Sequence, residues 1–191
     1  MTTKVVTQNW TYEEMQAKLP AESRYEIVNG ELIDMSPTPN SEHQEISAEL
    51  GFLLLTFIKR KKSGKVLFAP MDVKLDKSNV VQPDILFVAN TNLKIITKKC
   101  VEGVPDLTIE IISPSSHYRD TVDKKALYER FGIKEYWLID PANRVIEVFF
   151  LQNNQYSLHA FVAEEGKASS ALLEGFEVHS NDIFTSPESK L

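Results

Sequence analysis

The chain has 191 residues, of which 42% are hydrophobic and 25% are charged, a composition typical of a globular protein and not of a disordered one. Its formal net charge of −6 argues against a protein that coats nucleic acid through bulk electrostatic attraction. The single cysteine, Cys100, excludes an internal disulfide and suits a reducing cytoplasm. The longest apolar stretch, residues 53–58, is far shorter than the ~20 residues that span a bilayer, and residues 1–6 lack the pattern of a secretion signal. We therefore expect one cytoplasmic domain, covering residues 1–191, with no membrane segment.

The N-terminal part of the chain predicts a short helix followed by a β-hairpin. Thr11 with Glu14 three residues later has the pattern of a capping box, which marks the start of a helix. Asn29 and Gly30 lie between two β-prone runs, and this dipeptide predicts the tight turn of a hairpin.

A long helix and two strands are predicted next. Ser41, with Gln44 three residues later, predicts the start of this helix, which ends in the basic run 59–62. Positive charges at this end suit the negative end of the helix dipole. Strands are expected at residues 65–69 and 72–75.

Two apolar runs each carry a carboxylate. Asp84 lies within residues 80–88, and Glu110 lies within residues 107–112. Both runs are short, rich in β-branched residues and bounded by turn residues, which predicts buried strands. An ionised carboxylate that is buried without a partner costs several kcal/mol, so each of the two requires a compensating group.

The rest of the chain predicts a second helix and a strand meander. The helix is expected at about residues 120–131 and is stopped by Gly132, and strands are expected at 135–140, 145–151 and 156–162. This order of elements predicts an α/β fold, in the sense of an α+β mixed sheet with helices packed against it.

If the two carboxylate-bearing strands pair, Asp84 and Glu110 can point to the same side and lie close together. Two carboxylates at that distance repel each other unless a cation lies between them, and a divalent cation suits oxygen ligands. The alternative is that each carboxylate forms a buried ion pair or that one strand is an exposed edge. For the two residues together we favour a metal site.

Lys124 begins an inward-facing stripe of the second predicted helix, with Leu127, Tyr128 and Phe131 at helical spacing. A cation beside two buried carboxylates can orient a water or neutralise charge that develops on a phosphate. The alternative is that the ammonium group escapes to solvent or pairs with Asp120 one turn earlier.

Three further residues are candidates for accessory roles at this site. His43 lies at the edge of the apolar face of the long helix, and Glu31 opens the second strand of the hairpin. Asp72 follows a proline-containing turn. The alternatives are a satisfied core histidine, an exposed hairpin carboxylate and a turn cap, respectively.

Taken together, these residues resemble the PD-(D/E)XK nuclease superfamily and, more narrowly, the Uma-two family, whose members are described as restriction endonucleases and were long assigned to a domain of unknown function. The matching stretches are residues 25–32, 36–37 with His43, 69–73, 82–84, 110–115 and 128–140. The resemblance covers about residues 12–150, a nuclease-like core, and leaves 151–183 as C-terminal strands and 184–191 as a loose tail.

The resemblance implies a restriction-endonuclease-like core in which Asp84 and Glu110 bind Mg²⁺ or Mn²⁺ and act with Lys124 in the hydrolysis of phosphodiester bonds. Ile112 occupies the position where the superfamily pattern has a lysine, and Lys124 is the expected substitute. The implied partner is nucleic acid, with DNA favoured, and the protein could act as a homodimer. The alternative is a catalytically inactive protein of the same fold that serves as a nucleic-acid or protein binding module.

Overall fold

The computed structural model describes residues 9–20, 24–35 and 38–184. In this part of the chain the helices are α1 (Tyr12–Lys18), α2 (Ser41–Lys61), a 3-10 turn (Asn90–Ile95), a π-helical segment (Arg119–Lys124), α3 (Lys125–Phe131) and α4 (Ser180–Ile183). The strands are β1 (Tyr25–Val28), β2 (Glu31–Asp34), β3 (Gly64–Phe68), β4 (Val73–Asp76), β5 (Asn79–Val81), β6 (Ile85–Ala89), β7 (Val101–Glu102), β8 (Leu107–Ile111), β9 (Glu135–Asp140), β10 (Val145–Gln152), β11 (Gln155–Ala163), β12 (Lys167–Ser169) and β13 (Glu177–His179). Most of the predicted tail, residues 185–191, lies outside the described residues, as do residues 36–37 of the predicted loop.

The strands form two mixed sheets and one small antiparallel pair. The larger sheet has the order β11-β10-β9-β8-β6-β3, in which β8 and β9 run parallel and the other neighbours are antiparallel. The second sheet has the order β2-β1-β5-β4-β7, and β12 pairs with β13. The predicted mixed sheet with flanking helices is therefore confirmed, and it is divided between two sheets.

The larger sheet buries both of its faces. On β8, Ile109 and Ile111 pack into an apolar cluster with Leu50 and Leu54 of α2. Because successive side chains of a strand alternate between the two faces, Thr108 and Glu110 point to the opposite side. That side contains the second apolar cluster, to which α3 and the smaller sheet contribute. Glu110 thus lies between the two sheets, under α3.

The predicted strand over residues 80–88 is wrong, because the run forms two strands that belong to different sheets. β5 ends at Val81 in the smaller sheet, and β6 begins at Ile85 in the larger one. Pro83 lies in the connection, and it has no backbone N–H with which to continue a hydrogen-bonded ladder. The chain therefore crosses from one sheet to the other and brings Asp84 to the entry of β6.

The predicted helix starts are confirmed at α1 and corrected at α2. Thr11 and Glu14 form the capping box as predicted. At α2 the capping residue is Asn40 instead of Ser41, and its side chain accepts a hydrogen bond of 2.9 Å from the backbone N–H of His43. Either cap satisfies an N–H group of the first turn, and the observed one also fixes the backbone of His43.

The second predicted helix begins with a π-helical segment before it becomes α3. It ends as expected at Gly132, whose φ of +82° is the left-handed conformation that glycine adopts without strain. The π-helical segment carries both Asp120 and Lys124 as buried residues. Short π-helical turns are rare and occur often at functional sites.

The helices of the described residues include none that is both long enough and apolar enough to cross a membrane.

Candidate metal and catalytic site

The register between β6 and β8 places Asp84 opposite Glu110. Ile85 pairs with Ile109 and Leu86 pairs with Thr108 in this antiparallel ladder. Asp84 is one residue before Ile85, so the same register continued by one step brings it next to Glu110. The two carboxylates therefore lie at facing positions of neighbouring chain segments, and each raises the question of what compensates its burial.

Asp84 is held by one backbone group and one histidine. Its Oδ2 atom accepts a 2.8 Å hydrogen bond from the backbone N–H of Ile111 and lies 3.2 Å from His43 Nε2. Burial lowers the pKa of His43, but the nearby Asp84 carboxylate outweighs this effect, so the net pKa is raised. Within the described chain no hydrogen bond reaches Asp84 Oδ1, and the side chain remains 13% exposed.

Glu110 accepts two hydrogen bonds on one oxygen. Lys124 Nζ donates to Glu110 Oε1 at 2.9 Å, and the Tyr128 hydroxyl donates to the same atom at 2.6 Å. Burial raises the pKa of Glu110 well above its ordinary value. The positive charge of Lys124 lowers this pKa, whereas the negative charges of Asp120, Asp84 and Glu26 raise it further. No hydrogen bond from the described residues reaches Glu110 Oε2, which leaves this oxygen as a potential ligand.

Lys124 is buried among three carboxylates. Its Nζ atom lies 2.7 Å from Glu26 Oε1, 2.9 Å from Glu110 Oε1 and 3.7 Å from Asp120 Oδ1, and its side chain is 1% exposed. The proposed escape of the ammonium group to solvent is therefore wrong, whereas the pairing with Asp120 and the proximity to Glu110 are confirmed. Burial lowers the pKa of Lys124, but the three carboxylates more than offset this, and the net pKa is raised.

Glu26 was not predicted as a site residue, although it is fully buried on β1. Its Oε1 atom accepts a 2.8 Å hydrogen bond from the backbone N–H of Gln82, and its Oε2 atom lies 3.7 Å from Arg119 Nε. The signal that could have found it is the one that identified Asp84 and Glu110. Glu26 is an acid inside a short apolar strand, but this segment was interpreted only as part of the hairpin that the neighbouring Asn-Gly dipeptide predicts.

Asp120 was predicted only as a possible partner of Lys124, and it is also part of this buried cluster. Its Oδ1 atom has no hydrogen-bond partner among the described residues. Burial raises the pKa of Asp120, and Lys124 opposes that shift. The Tyr136 hydroxyl donates a 3.0 Å hydrogen bond to the backbone carbonyl of Asp120, which fixes this turn of the π-helical segment.

The three accessory candidates occupy different places. His43 contacts Asp84 directly. Asp72 accepts a 2.8 Å hydrogen bond from Gln82 Nε2, so it reaches the cluster only through that residue. Glu31 is exposed at the turn end of the hairpin, and no contact within the described chain joins it to the cluster.

Ile112, at the position where the superfamily pattern has a lysine, is buried and belongs to the second apolar cluster. An ammonium group at this position would lose its hydration among apolar side chains, which is costly. The geometry therefore agrees with a cation supplied by the helix that follows, because Lys124 reaches Glu110 from that helix.

The charges of the cluster favour one further cation. Four carboxylates, those of Glu26, Asp84, Glu110 and Asp120, face Lys124, Arg119 and a histidine. Groups of three or more side chains already arranged to hold a metal ion are absent from the described residues. The oxygens Asp84 Oδ1 and Glu110 Oε2 instead offer two carboxylate ligands. This donor set fits Mg²⁺, which is typically bound through one or two carboxylates and keeps water and phosphate oxygens as its other ligands.

A solved structure from Anabaena variabilis, described as a "putative nuclease belonging to DUF820", has the same fold. It superposes with a TM-score of 0.71 over 91% of this chain and 97% of its own length, at 19% sequence identity. No curated protein matches the chain in sequence.

A family model gives the assignment that the sequence motifs indicated. The model of the Uma2 family, described as "Putative restriction endonuclease", matches residues 11–181. This range includes Glu26, Asp84, Glu110 and Lys124. Since the match extends over most of the chain, we conclude that the protein belongs to the Uma2 family.

Proposed function

We propose that the protein is a metal-dependent endonuclease that hydrolyses phosphodiester bonds in nucleic acid. The observation that carries this proposal is the contact of Lys124 with Glu110, opposite Asp84, in a chain of the Uma2 family. Two carboxylates and one lysine are the groups that hydrolysis of a phosphodiester needs in order to hold a cation and to neutralise developing negative charge.

Asp84 and Glu110 would hold Mg²⁺ or Mn²⁺ through the oxygens that accept no other hydrogen bond. A bound divalent cation supplies Lewis acidity, which polarises a phosphoryl oxygen and lowers the pKa of a coordinated water. His43 and the backbone N–H of Ile111 fix the Asp84 carboxylate from its other oxygen, so that the ligand atom keeps one orientation.

Lys124 is assigned the role of orienting a water or a phosphate oxygen and neutralising developing charge. An ammonium group has three N–H donors, and close contacts to Glu26 and Glu110 use two of them. The third donor is not fixed by a hydrogen bond, since Asp120 is 3.7 Å away. This donor could orient a water or a phosphate oxygen beside Glu110, and its charge would stabilise the transition state.

The substitution Asp84→Asn tests this assignment with little change of shape, because the amide oxygen can still accept the N–H of Ile111. Cleavage of plasmid DNA and of single-stranded DNA and RNA, measured with Mg²⁺ or Mn²⁺, should fall by about 10²-fold or more. The matched control is Asp123→Asn, an exposed aspartate next to Lys124 in sequence, which should cleave like the original protein.

The same pair of variants gives a readout that does not depend on catalysis. A cation that binds only the native state raises the melting temperature by mass action. We expect Mn²⁺ to raise the melting temperature of the original protein and of Asp123→Asn, but not that of Asp84→Asn. An equal rise in all three would place the cation elsewhere. If the original protein binds the cation yet cleaves no DNA or RNA, the binding-module alternative replaces the nuclease proposal.

A further inference from the structure

A cavity of about 430 Å³ opens beside the site, between α1 and the smaller sheet. Its size falls within the range of small-molecule pockets, roughly 300–1,000 Å³. Met15 and Met71 supply apolar walls, and Arg24, Asp72 and Gln82 supply polar groups. A concave site that combines apolar walls with a few polar groups is the usual form of a small-molecule pocket.

The polar groups of the cavity form an ordered chain of hydrogen bonds. Arg24 Nε donates to Gln82 Oε1 at 3.2 Å, and Gln82 Nε2 donates to Asp72 Oδ1 at 2.8 Å. The Tyr12 hydroxyl donates to Asp72 Oδ2 at 3.2 Å. These bonds use one of the five N–H donors of Arg24, and no further hydrogen bond joins its guanidinium to the described residues. The cavity is therefore lined by a guanidinium with unused donors and, on the other side of Gln82, by a carboxylate.

Gln82 connects the cavity to the buried cluster of Glu26, Glu110 and Lys124. While the Gln82 side chain lines the cavity, its backbone N–H donates a 2.8 Å hydrogen bond to Glu26 Oε1. Glu26 in turn contacts Lys124, and Asp84 follows Gln82 by two residues. A ligand in the cavity would thus contact Gln82, which is hydrogen-bonded to the cluster through Glu26.

We propose that the cavity binds one unstacked nucleobase of the nucleic acid that is cleaved, and that guanine is the preferred base. This inference rests on the proposed nuclease function, and it deepens that function by naming a specificity-determining pocket. Arginine donates a pair of hydrogen bonds to guanine O6 and N7, a frequent and specific contact. Each oxygen of Asp72 already accepts one hydrogen bond and has a second lone pair, with which the carboxylate can accept from the N1–H and the amino group of the same base. Met15 and Met71, which line the cavity, would supply apolar contacts to the ring, as apolar groups do for bases taken out of a stack.

Guanine matches this arrangement better than the other bases do. Adenine presents an amino donor where guanine has O6, so it would place a donor against the Arg24 guanidinium. Cytosine has the same conflict at its amino group. Uracil and thymine have oxygen acceptors for Arg24, but they lack an amino group to pair with Asp72. Lys99, which also lines the cavity, would supply a positive charge for the phosphate of the same nucleotide.

Binding of mononucleotides tests the pocket without catalysis. Isothermal titration calorimetry with the full chain and no divalent cation would compare GMP, AMP, CMP and UMP. We expect GMP to bind about tenfold or more tightly than AMP, and Arg24→Ala to weaken GMP binding by about the same factor. Asp72→Asn should reduce the preference for GMP over AMP, because the amide no longer offers two acceptor oxygens. Lys98→Ala, an exposed lysine next to Lys99 in sequence, is the control that should bind GMP normally.

The outcomes separate the pocket from the nuclease function. Equal binding of all four nucleotides, or ribose 5-phosphate binding as tightly as GMP, would overturn the assignment to guanine. No binding of any nucleotide would overturn the pocket even if the protein cleaves DNA. Selective GMP binding by a protein that cleaves nothing would support the pocket and overturn the nuclease function. Melting temperatures of Arg24→Ala and Asp72→Asn, measured in parallel, show whether each variant is folded.

Discussion

Lys124 is the residue on which the buried cluster depends most. Its ammonium group lies between Glu26 and Glu110, both of which are also buried. The desolvation of such ions can cancel their attraction, but removal of one partner leaves an uncompensated buried charge. The number of ion pairs that Lys124 forms therefore does not measure its contribution to stability. The loss of stability on its replacement does.

We expect Lys124→Met to lower the free energy of unfolding by about 3–5 kcal/mol at neutral pH. The methionine has a similar length but leaves the carboxylates without their cation. In a background of Glu110→Gln the same change should cost clearly less, and the difference measures the coupling of the two residues. Urea unfolding of the four proteins provides the measurement. Equal costs in both backgrounds would mean that Lys124 and Glu110 do not interact energetically.

Asp106, which lies outside the buried cluster around Lys124, makes the stability of the protein depend on pH. Its carboxylate accepts hydrogen bonds from the backbone N–H of Ala89 at 2.9 Å and from Lys134 Nζ at 2.7 Å. Burial raises the pKa of Asp106, but Lys134, Ala89 and Asn92 outweigh it, so the net pKa lies below the ordinary value of 3.8. A lowered pKa means that the ionised carboxylate stabilises the fold above that ordinary value, and that this stabilisation is lost as the pH falls through the folded-state pKa.

Asp106→Asn should therefore cost about 1–3 kcal/mol at pH 7. The difference from the original protein should shrink as the pH is lowered below about 4, where the original carboxylate also begins to lose its charge. Chemical unfolding at several pH values checks this, with Asp123→Asn as the exposed control. A difference that stays constant down to low pH would contradict the assigned pKa shift.

The residues that could be predicted from the sequence share one property. Asp84 and Glu110 are acids in apolar runs, and Lys124 starts an apolar helical stripe. In each case a charged residue occupies a position that the sequence predicts to be buried. The arrangement of the partners could not be predicted, because Glu26 belongs to the other sheet and only tertiary packing brings it to Lys124. Which oxygens remain available as ligands is likewise a property of the folded protein.

At the scale of the elements, Pro83 decides how the site is divided between the sheets. The apolar pattern of residues 80–88 predicted one strand, because hydrophobicity carries no information about the backbone N–H donor that Pro83 lacks. The break at the proline lets β5 pair with β1 and lets β6 pair with β8. The hairpin, the cap of α1 and the strand at 135–140 were predictable because each depends on local sequence.

The start of β9 fixes the segment that follows β12 through one buried carboxylate. Glu135 accepts hydrogen bonds from Trp137 Nε1 and the Ser170 hydroxyl on Oε1, and from the backbone N–H groups of Ala171 and Leu172 on Oε2. These four bonds measure 2.6–2.7 Å. Because all four partners are donors, the residue has to be an acceptor at both oxygens.

Glu135→Gln should lower the free energy of unfolding by about 1–3 kcal/mol, because its amide group would turn N–H donors towards other donors. The amides of Ala171 and Leu172 should also exchange faster with solvent deuterium, which hydrogen-exchange mass spectrometry or NMR can measure. Glu174→Gln, at an exposed position nearby, is the control. Unchanged protection of both amides would show that Glu135 does not hold this segment.

At the scale of the whole molecule, a net charge of −6 means that a polyanion must be held by a local group of cations. The exposed run 59–62 at the end of α2 is the densest group in sequence. It lies ~25 Å from His43 at the other end of the same helix, given a rise of 1.5 Å per residue. The run could therefore contact only flanking nucleotides, or the site of a second copy in a homodimer.

If Lys61 and Lys62 contact phosphates, their joint replacement by alanine should weaken binding of all nucleic-acid sequences alike. The logarithm of affinity falls linearly with the logarithm of salt concentration, with a slope of about −0.9 for each phosphate neutralised. We expect the double variant to reduce the magnitude of this slope by about one to two units. The measurement is fluorescence anisotropy at several salt concentrations, with Asp84→Asn as the common background so that no cleavage occurs. An unchanged slope would identify the run as a solvated helix end.

The division of the buried cluster between β1 and the π-helical segment also has a consequence during synthesis of the chain. Glu26, Asp84 and Glu110 are synthesised in that order, and Lys124 is added only after β8 is complete. Until then Glu26 and Glu110 lack the ammonium group that lies between them in the folded protein, whereas the histidine that contacts Asp84 is already present. A chain that stops short of the π-helical segment lacks Lys124 and therefore cannot assemble the site. The proposed hydrolytic activity is thus withheld from unfinished chains and first exists when both sheets and the helix between them are in place.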